Sequence, residues 1–323
     1  MSNTIQEHLI YIHGVSQDNN QSHESVYNML HQGVEAVRSP FPNRSLWDKS
    51  SRCDVEWGWN YHNEAFPDGN HLLAEAQDRF AEAILPEIKD EKDITWNPLR
   101  MLLFTMRTLM IKGFSDMFYY ASRDGKSSIR ATVASQIMQC IKQPLEEGKP
   151  ISLTLMGHSA GSVVAFDFLF YLFAPQNILK EQEFIETQLE EIDVDTLKDF
   201  EKLRHLAENK KLRIRRLITF GSPISMLAFR SNAVVQILAN GGKLNPSHYG
   251  LDQNHPIFGS ALKGPRWVNF WDKDDIISWP VEPLMQNAFM IKDIYADVGD
   301  RIATAHNEYW DNKIVHENIA EIW

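Results

Sequence analysis

ISLTLMGHSAGS, residues 151–162, carries a short apolar run into Gly157-His158-Ser159-Ala160-Gly161, and a second apolar stretch, Val163–Phe173, follows at once. The first run has the length of a buried strand and the second the length of a helix. Between them sits Gly-x-Ser-x-Gly. On such a strand-to-helix turn the serine takes strained backbone angles, and its hydroxyl projects above the sheet at the start of a helix. Glycine is required at 157 and 161 because strand and helix pass too close for a Cβ. The bare pentapeptide is a string that chance can supply; its place between these two elements makes it a candidate nucleophile elbow. The competing reading is a Gly-rich turn with an incidental serine.

Outward from this turn, strand and helix patterns alternate in the order of a mostly parallel α/β sheet flanked by helices. Strands are expected at Leu9–His13, Cys53–Trp59, Ile151–Met156, Leu212–Phe220 and Trp267–Trp271. Ser22–Val37 carries Val26, Leu30 and Val34 near helical spacing, and Glu308–Ile322 reads as a closing helix. Every connection between neighbouring strands contains a helix, so the loops at the carboxyl ends of the strands should form the site. Those ends hold the distinctive residues: His13-Gly14, Gly157–Gly161, Gly221-Ser222-Pro223 and the acidic turn Asp272–Asp275.

The 323 residues, 43% of them hydrophobic, suffice for one large core. No segment is long and apolar enough for a membrane span. The opening MSNTIQEHLIYIHG has no basic start and only the short apolar run Leu9–Ile12, unlike a secretory leader. Cys53 and Cys140 form no framework, so two structural thiols and a cytoplasmic location are expected. A net charge of −11 argues against nucleic acid and against an anionic membrane surface. It leaves transient membrane contact open.

Taken together, the elbow, His13-Gly14, Gly221-Ser222-Pro223, the acidic turn and a late histidine before an aromatic helix resemble the α/β-hydrolase superfamily. Within it the chain is most similar to lipase- and serine-esterase-like members. The resemblance implies one α/β-hydrolase domain over residues 1–323 and ester hydrolysis by a Ser-His-Asp triad, with no cofactor and no metal. Superfamily members place antiparallel strands before the His-Gly strand. This chain begins almost directly with Leu9–His13, so a shortened sheet is expected.

A serine hydroxyl is a poor nucleophile at neutral pH and needs a base, which needs a carboxylate to fix its tautomer. The superfamily order Ser, Asp or Glu, His leaves His306 and His316 beyond the acidic turn, of the twelve histidines. His306 lies just before the last helix; His316 lies within it, where a solvated surface role is expected. Asp275-Ile276-Ile277-Ser278-Trp279-Pro280 is similar to the Asp-x-Val-x-x-Pro pattern around the acid of lipase-like relatives, which favours Asp275, with Asp272 as competitor. Aspartates clustered in a turn are ordinarily solvated turn-formers. The oxyanion hole is assigned to the N–H of Ala160 and to that of Val15, with Ser16 as fallback. His13 is read as orienting its loop, and Ser222 as a turn-former.

Three insertions are expected: a mostly helical one over 72–145, a charged helical one over 177–211, and a cap or rim over 224–265. Within the first, Asn97–Phe114 reads either as a lid for a lipid substrate or as a buried helix with snorkelling basic ends. No metal-ligand spacing and no phosphate-cradling loop occurs in the sequence. The expected substrates are small-molecule or lipid-like acyl esters. Thioester hydrolysis, acyl transfer, and a non-catalytic binding protein that keeps the elbow are the alternatives.

Overall fold

The computed structural model describes residues 5–14, 23–37, 51–57, 79, 117, 120, 123–181, 194–230, 232–251, 264–286, 288–299 and 305–323. Among these, six strands form one sheet: β1 (Gln6–Ile12), β2 (Ser51–Val55), β3 (Ile151–His158), β4 (Leu212–Phe220), β5 (Trp267–Trp271) and β6 (Ile291–Tyr295). Their order is β2-β1-β3-β4-β5-β6, and every neighbouring pair is parallel. The two central strands, β3 and β4, are buried at every position. A parallel sheet demands this burial, because its crossover helices cover both faces.

One face carries Ile10, Leu153, Leu155, Ile214 and Leu217 against α2 (Arg123–Glu146), α3 (Ala160–Phe173) and α5 (Val194–Glu208). The opposite face carries Leu9, Tyr11, Met156, Ile218 and Phe220 against α1 (His23–Val37), a 3₁₀ segment Ala305–Asp311 and α8 (Lys313–Ile322). Alternation along each strand assigns residues to the two layers. Three short helices, α4 (Gln176–Glu181), α6 (Ile224–Leu227) and α7 (Asn232–Ala239), lie in the connections.

Five strands overlap those the sequence places, although β2 runs Ser51–Val55 where Cys53–Trp59 is expected, and β6 is an addition. Its sequence IKDIY is half-exposed, with lysine and aspartate inside it, so it lacks a strand's clean pattern. The closing helix begins later than expected: Asn312 accepts from the N–H groups of Ile314 and Val315 and starts α8, leaving 305–311 as a separate 3₁₀ segment. His316 is buried rather than solvated. Its Nε2–H donates to Trp310 O at 2.8 Å, and its ring lies where a Cβ on Gly33 would be 2.0 Å away, so α1 and α8 meet there closely.

The expectation of two thiols is corrected: Cys53 on β2 and Cys140 on α2 form a disulfide. Sequence spacing gives no sign of a pair brought together across a separation of 87 residues. Of the expected insertions, 123–145 is α2, a helix of the main layer packed on β1, β2 and β3. Asn97–Phe114 lies outside the described residues. The charged segment contributes α5, whose Leu203 and Ala207 enter the core, while 182–193 is outside the described residues. In the expected rim, Leu244 bridges to Met285 and Tyr249 stacks on Phe166 with centroids 4.2 Å apart. Residues 252–263 are outside the described set.

The amino end of β4 departs from an apolar pattern, with Arg213, Arg215 and Arg216 all buried. A register shift beside Leu153 and Thr154 pairs Ile214 with Leu153 and Arg216 with Thr154, leaving Arg215 as the extra residue of a bulge. Arg216 donates to Ile322 O at 2.6 Å and to Pro265 O at 2.7 Å, and Arg215 pairs with Glu7 at 2.8 Å. Burial pulls the Arg216 guanidinium down to about 9, and Arg215 and Arg266 push the same way.

Candidate active site

Ser159 joins β3 to α3 with φ 50° and ψ −127°, angles that side chains other than glycine rarely adopt. The surroundings enforce this conformation. A Cβ on Gly157 would lie 2.6 Å from Ser162 Cα, and one on Gly161 only 2.1 Å from His13 O. The first glycine therefore admits the turn, as expected. The second admits the loop after β1 rather than β3, so the elbow is wedged between two strands. Ser159 N–H donates to Phe220 O at 2.9 Å, fixing the turn to β4 as well.

A hydroxyl chain stiffens the far side. Ile224 N–H donates to Ser222 Oγ at 3.3 Å, Ser222 and Ser162 share a 2.7 Å contact, and Ser162 O–H donates to Ser159 O at 2.5 Å. Ser222 is thus the turn-former that the sequence suggests. Trp279 N–H donates to Ser222 O at 3.1 Å, which ties in the loop after β5.

That loop holds Asp275, and the 3₁₀ segment holds His306. His306 Nδ1–H donates to Asp275 at 2.9 Å to Oδ2 and 3.1 Å to Oδ1. The same carboxylate accepts from Ile277 N–H at 3.1 Å and from Tyr309 O–H at 2.9 Å. Burial alone would raise the Asp275 pKa; the bond and charge of His306, with the Ile277 and Tyr309 donors, outweigh it and hold the carboxyl below its usual range. With the proton on Nδ1, a neutral His306 ring keeps its lone pair on Nε2.

Asp272 has a different task. It is fully buried, not solvated, and accepts from Asp274 N–H at 2.6 Å and Val298 N–H at 2.8 Å, so it shapes the turn that presents Asp275. Between the two competitors, the bond to His306 belongs to Asp275.

His158 links the serine to the histidine. Its Nε2–H donates to His306 O at 2.8 Å, and its ring lies 4.9 Å from those of both His306 and Trp310, edge-on to the latter. Gly221, at φ +55°, closes the other side: a Cβ there would sit 3.0 Å from Asp275 Oδ2 and His306 Nδ1. Ser159, His158, Ala160, His306, Asp275 and Gly221 therefore gather at the carboxyl ends of β3, β4 and β5. Ala160 opens α3, so its N–H has no acceptor within the helix. Gly14 joins them, since a Cβ on it would be 2.9 Å from Ser159 Cβ. Val15 and Ser16 lie outside the described residues.

Sequence reading missed Tyr309 and Ser162. Tyr309 stands three residues after His306, on the next turn of the same segment, a spacing that could have suggested it. Among the described residues, no group of three or more His, Cys, Asp or Glu side chains is arranged to hold a metal ion. In comparisons with known proteins, no family model matches the chain, and neither does any curated protein or solved structure.

Proposed function

We propose that the chain is a serine hydrolase of the α/β-hydrolase kind that cleaves carboxylic esters through Ser159, His306 and Asp275. The observation that carries this reading is a serine held at φ 50° at the start of α3, next to His158, which donates to the backbone of a buried histidine whose Nδ1–H is bonded to a carboxylate. Strain at a polar residue that its neighbours over-determine marks a functional position more often than a structural one. In this mechanism His306 Nε2 takes the Ser159 proton as Oγ attacks the acyl carbonyl. The Ala160 N–H and an N–H of the loop after Gly14, assigned to Val15, hold the oxyanion. Asp275 stabilises the imidazolium, which returns its proton to the departing alkoxide. Water, deprotonated by the same nitrogen, then releases the acid and regenerates the serine.

Acyl esters of small or lipid-like alcohols are the proposed substrates; thioester cleavage or transfer to another alcohol would use the same residues. The disulfide removes the cysteine argument for a cytoplasmic location, and no described helix is long and apolar enough to cross a membrane.

The test is intact mass after treatment with a fluorophosphonate probe. The expected result is one adduct on the native protein, none on Ser159→Ala, and much slower labelling of His306→Ala. An unlabelled, well-folded native protein, with and without detergent, would overturn the reading in favour of a binding protein.

A further inference from the structure

The loop after β1 reaches Ser159 through Gly14, and one residue holds it from behind. Trp57 N–H donates to His13 Nε2 at 3.1 Å, and the indole Nε1–H donates to His13 O at 2.7 Å. The two rings stack with centroids 5.9 Å apart and planes 16° apart. His13 Nδ1–H donates in turn to Gly14 O. Accepting at Nε2 while donating at Nδ1 specifies a neutral ring in a single tautomer. The His13 carbonyl that accepts from the indole N–H is also the atom for which Gly161 leaves room. The position of His13-Gly14 is therefore set between Trp57 on one side and the elbow on the other.

Trp57 is anchored as well. Glu56, its neighbour, is gripped by one side chain: Glu56 N–H donates to Gln136 Oε1 at 3.0 Å, and Gln136 Nε2–H donates to Glu56 O at 2.7 Å. Within the described sheet β2 is an outer strand, paired only with β1. The Cys53–Cys140 disulfide joins it to α2, one turn of helix beyond Gln136. Cys53 is buried and Cys140 half-buried. A covalent tie at Cys53 and an amide clamp at Glu56 thus run side by side from α2 to the Cys53–Trp57 segment, and its indole carries the hold on to the loop beside the serine.

We infer that Cys53–Trp57 is a positioning strap for the oxyanion side of the site, and that opening the disulfide lowers turnover through Trp57 and His13. The inference rests on the serine-hydrolase reading. The opening step needs a dithiol reductant. Two electrons and two protons convert the Cys53–Cys140 bond to two thiols, and the dithiol closes to its own disulfide. A slackened strap lets His13-Gly14 shift against Ser159, on the side that the serine-hydrolase reading gives to the oxyanion of the transition state. Such a loss falls on kcat and leaves KM nearly unchanged.

The test measures kcat and KM of the full chain on a chromogenic acyl ester, oxidised and after dithiothreitol, below the melting midpoint of the reduced form. Reduction is expected to lower kcat about 10- to 100-fold, the scale of one weakened oxyanion donor. The Cys53→Ala/Cys140→Ala variant should reproduce the reduced value. Trp57→Phe, which keeps a ring and loses the indole N–H, should lower kcat in the oxidised protein, and reduction should then have little further effect, as for two links of one chain. Amide exchange at His13, Gly14 and Trp57 should quicken on reduction while β3 and β4 stay protected. The inference is overturned if kcat and exchange are the same in both redox states, or if reduction costs as much in Trp57→Phe as in the native chain. An oxidised native protein that fails to take a fluorophosphonate overturns the hydrolase reading instead, and exchange alone then decides whether the strap exists.

Discussion

At the carboxyl end of β4, Gly221 and Ser222 turn the chain beside a carboxylate that accepts from His306, Ile277 and Tyr309. At the amino end of the same strand, Arg215 and Arg216 reach Glu7, Pro265 and Ile322, and Arg213 Nε and Nη2 find no acceptor among the described residues. Both ends bury charge, with different results. The carboxyl-end donors converge on one group and fix one ring nitrogen, which lowers the Asp275 pKa and orients His306. The guanidiniums of Arg215 and Arg216 diverge to a carboxylate and two carbonyls from separate parts of the chain and hold those parts to the sheet. A buried charge belongs to chemistry when its neighbours aim at it, and to architecture when it is the one that reaches out.

Four substitutions would break or sharpen this contrast. The largest effect is expected for Asp275→Asn, which removes the acceptor that fixes the His306 tautomer. Turnover should fall by ~10³–10⁴, while the melting temperature drops only by the modest stabilisation that the depressed carboxyl supplies, and steady-state rates beside a thermal melt would show it. A matching loss of stability would blur the two ends into one. Arg216→Met at the opposite end should do the reverse. It strands the carbonyls of Pro265 and Ile322 and should cost about 3 kcal/mol of stability in denaturant titration while kcat holds.

His8, buried near the amino end of β1, sharpens the contrast through pH. Burial pulls its ring down to about 4 from 6.5. The unfolded chain therefore binds a proton in that interval that the folded chain refuses, and stability falls as pH drops from 6.5 towards 4. The loss is about 3 kcal/mol, and His8→Leu should flatten that part of the stability curve. Asp275 behaves with the same sign at lower pH: its depressed carboxyl stabilises the fold at neutral pH, and that contribution is lost as pH falls through its folded value. The smallest effect is expected for Tyr309→Phe, which removes one of the donors to Asp275. A loss of about 1 kcal/mol, or roughly fivefold in kcat/KM, should follow; an unchanged rate would place Tyr309 with the architecture.

The two ends also differ in how far the sequence discloses them. The elbow was legible because glycine at 157 and 161 is a steric demand written into five consecutive residues. Asp275 and His306 were legible because chain order and neighbouring residues narrowed the choice. Arg213, Arg215 and Arg216 could not be placed by pattern. The pattern of LRIRRLITF gives no sign of their burial, which for Arg215 and Arg216 rests on a bulge, on the carboxylate of Glu7 and on the carbonyls of Pro265 and Ile322. Asp272 and Asp275 differ only in which donors face them, and that is a property of the folded turn. The disulfide was hidden for a related reason: residues separated by 87 positions carry no mark of their meeting.

That bond has a consequence for connectivity. Cys53 and Cys140 bracket the whole stretch between β2 and α2, so the chain there is a closed ring with two tails. A single backbone cut between 58 and 116 opens the ring without releasing either half. The nicked molecule would migrate as one species until reduced and as two afterwards, with Gly14 in the smaller piece and Ser159, Asp275 and His306 together in the larger. In topological terms the protein is a lariat, and its knot lies within reach of the loop that faces the serine.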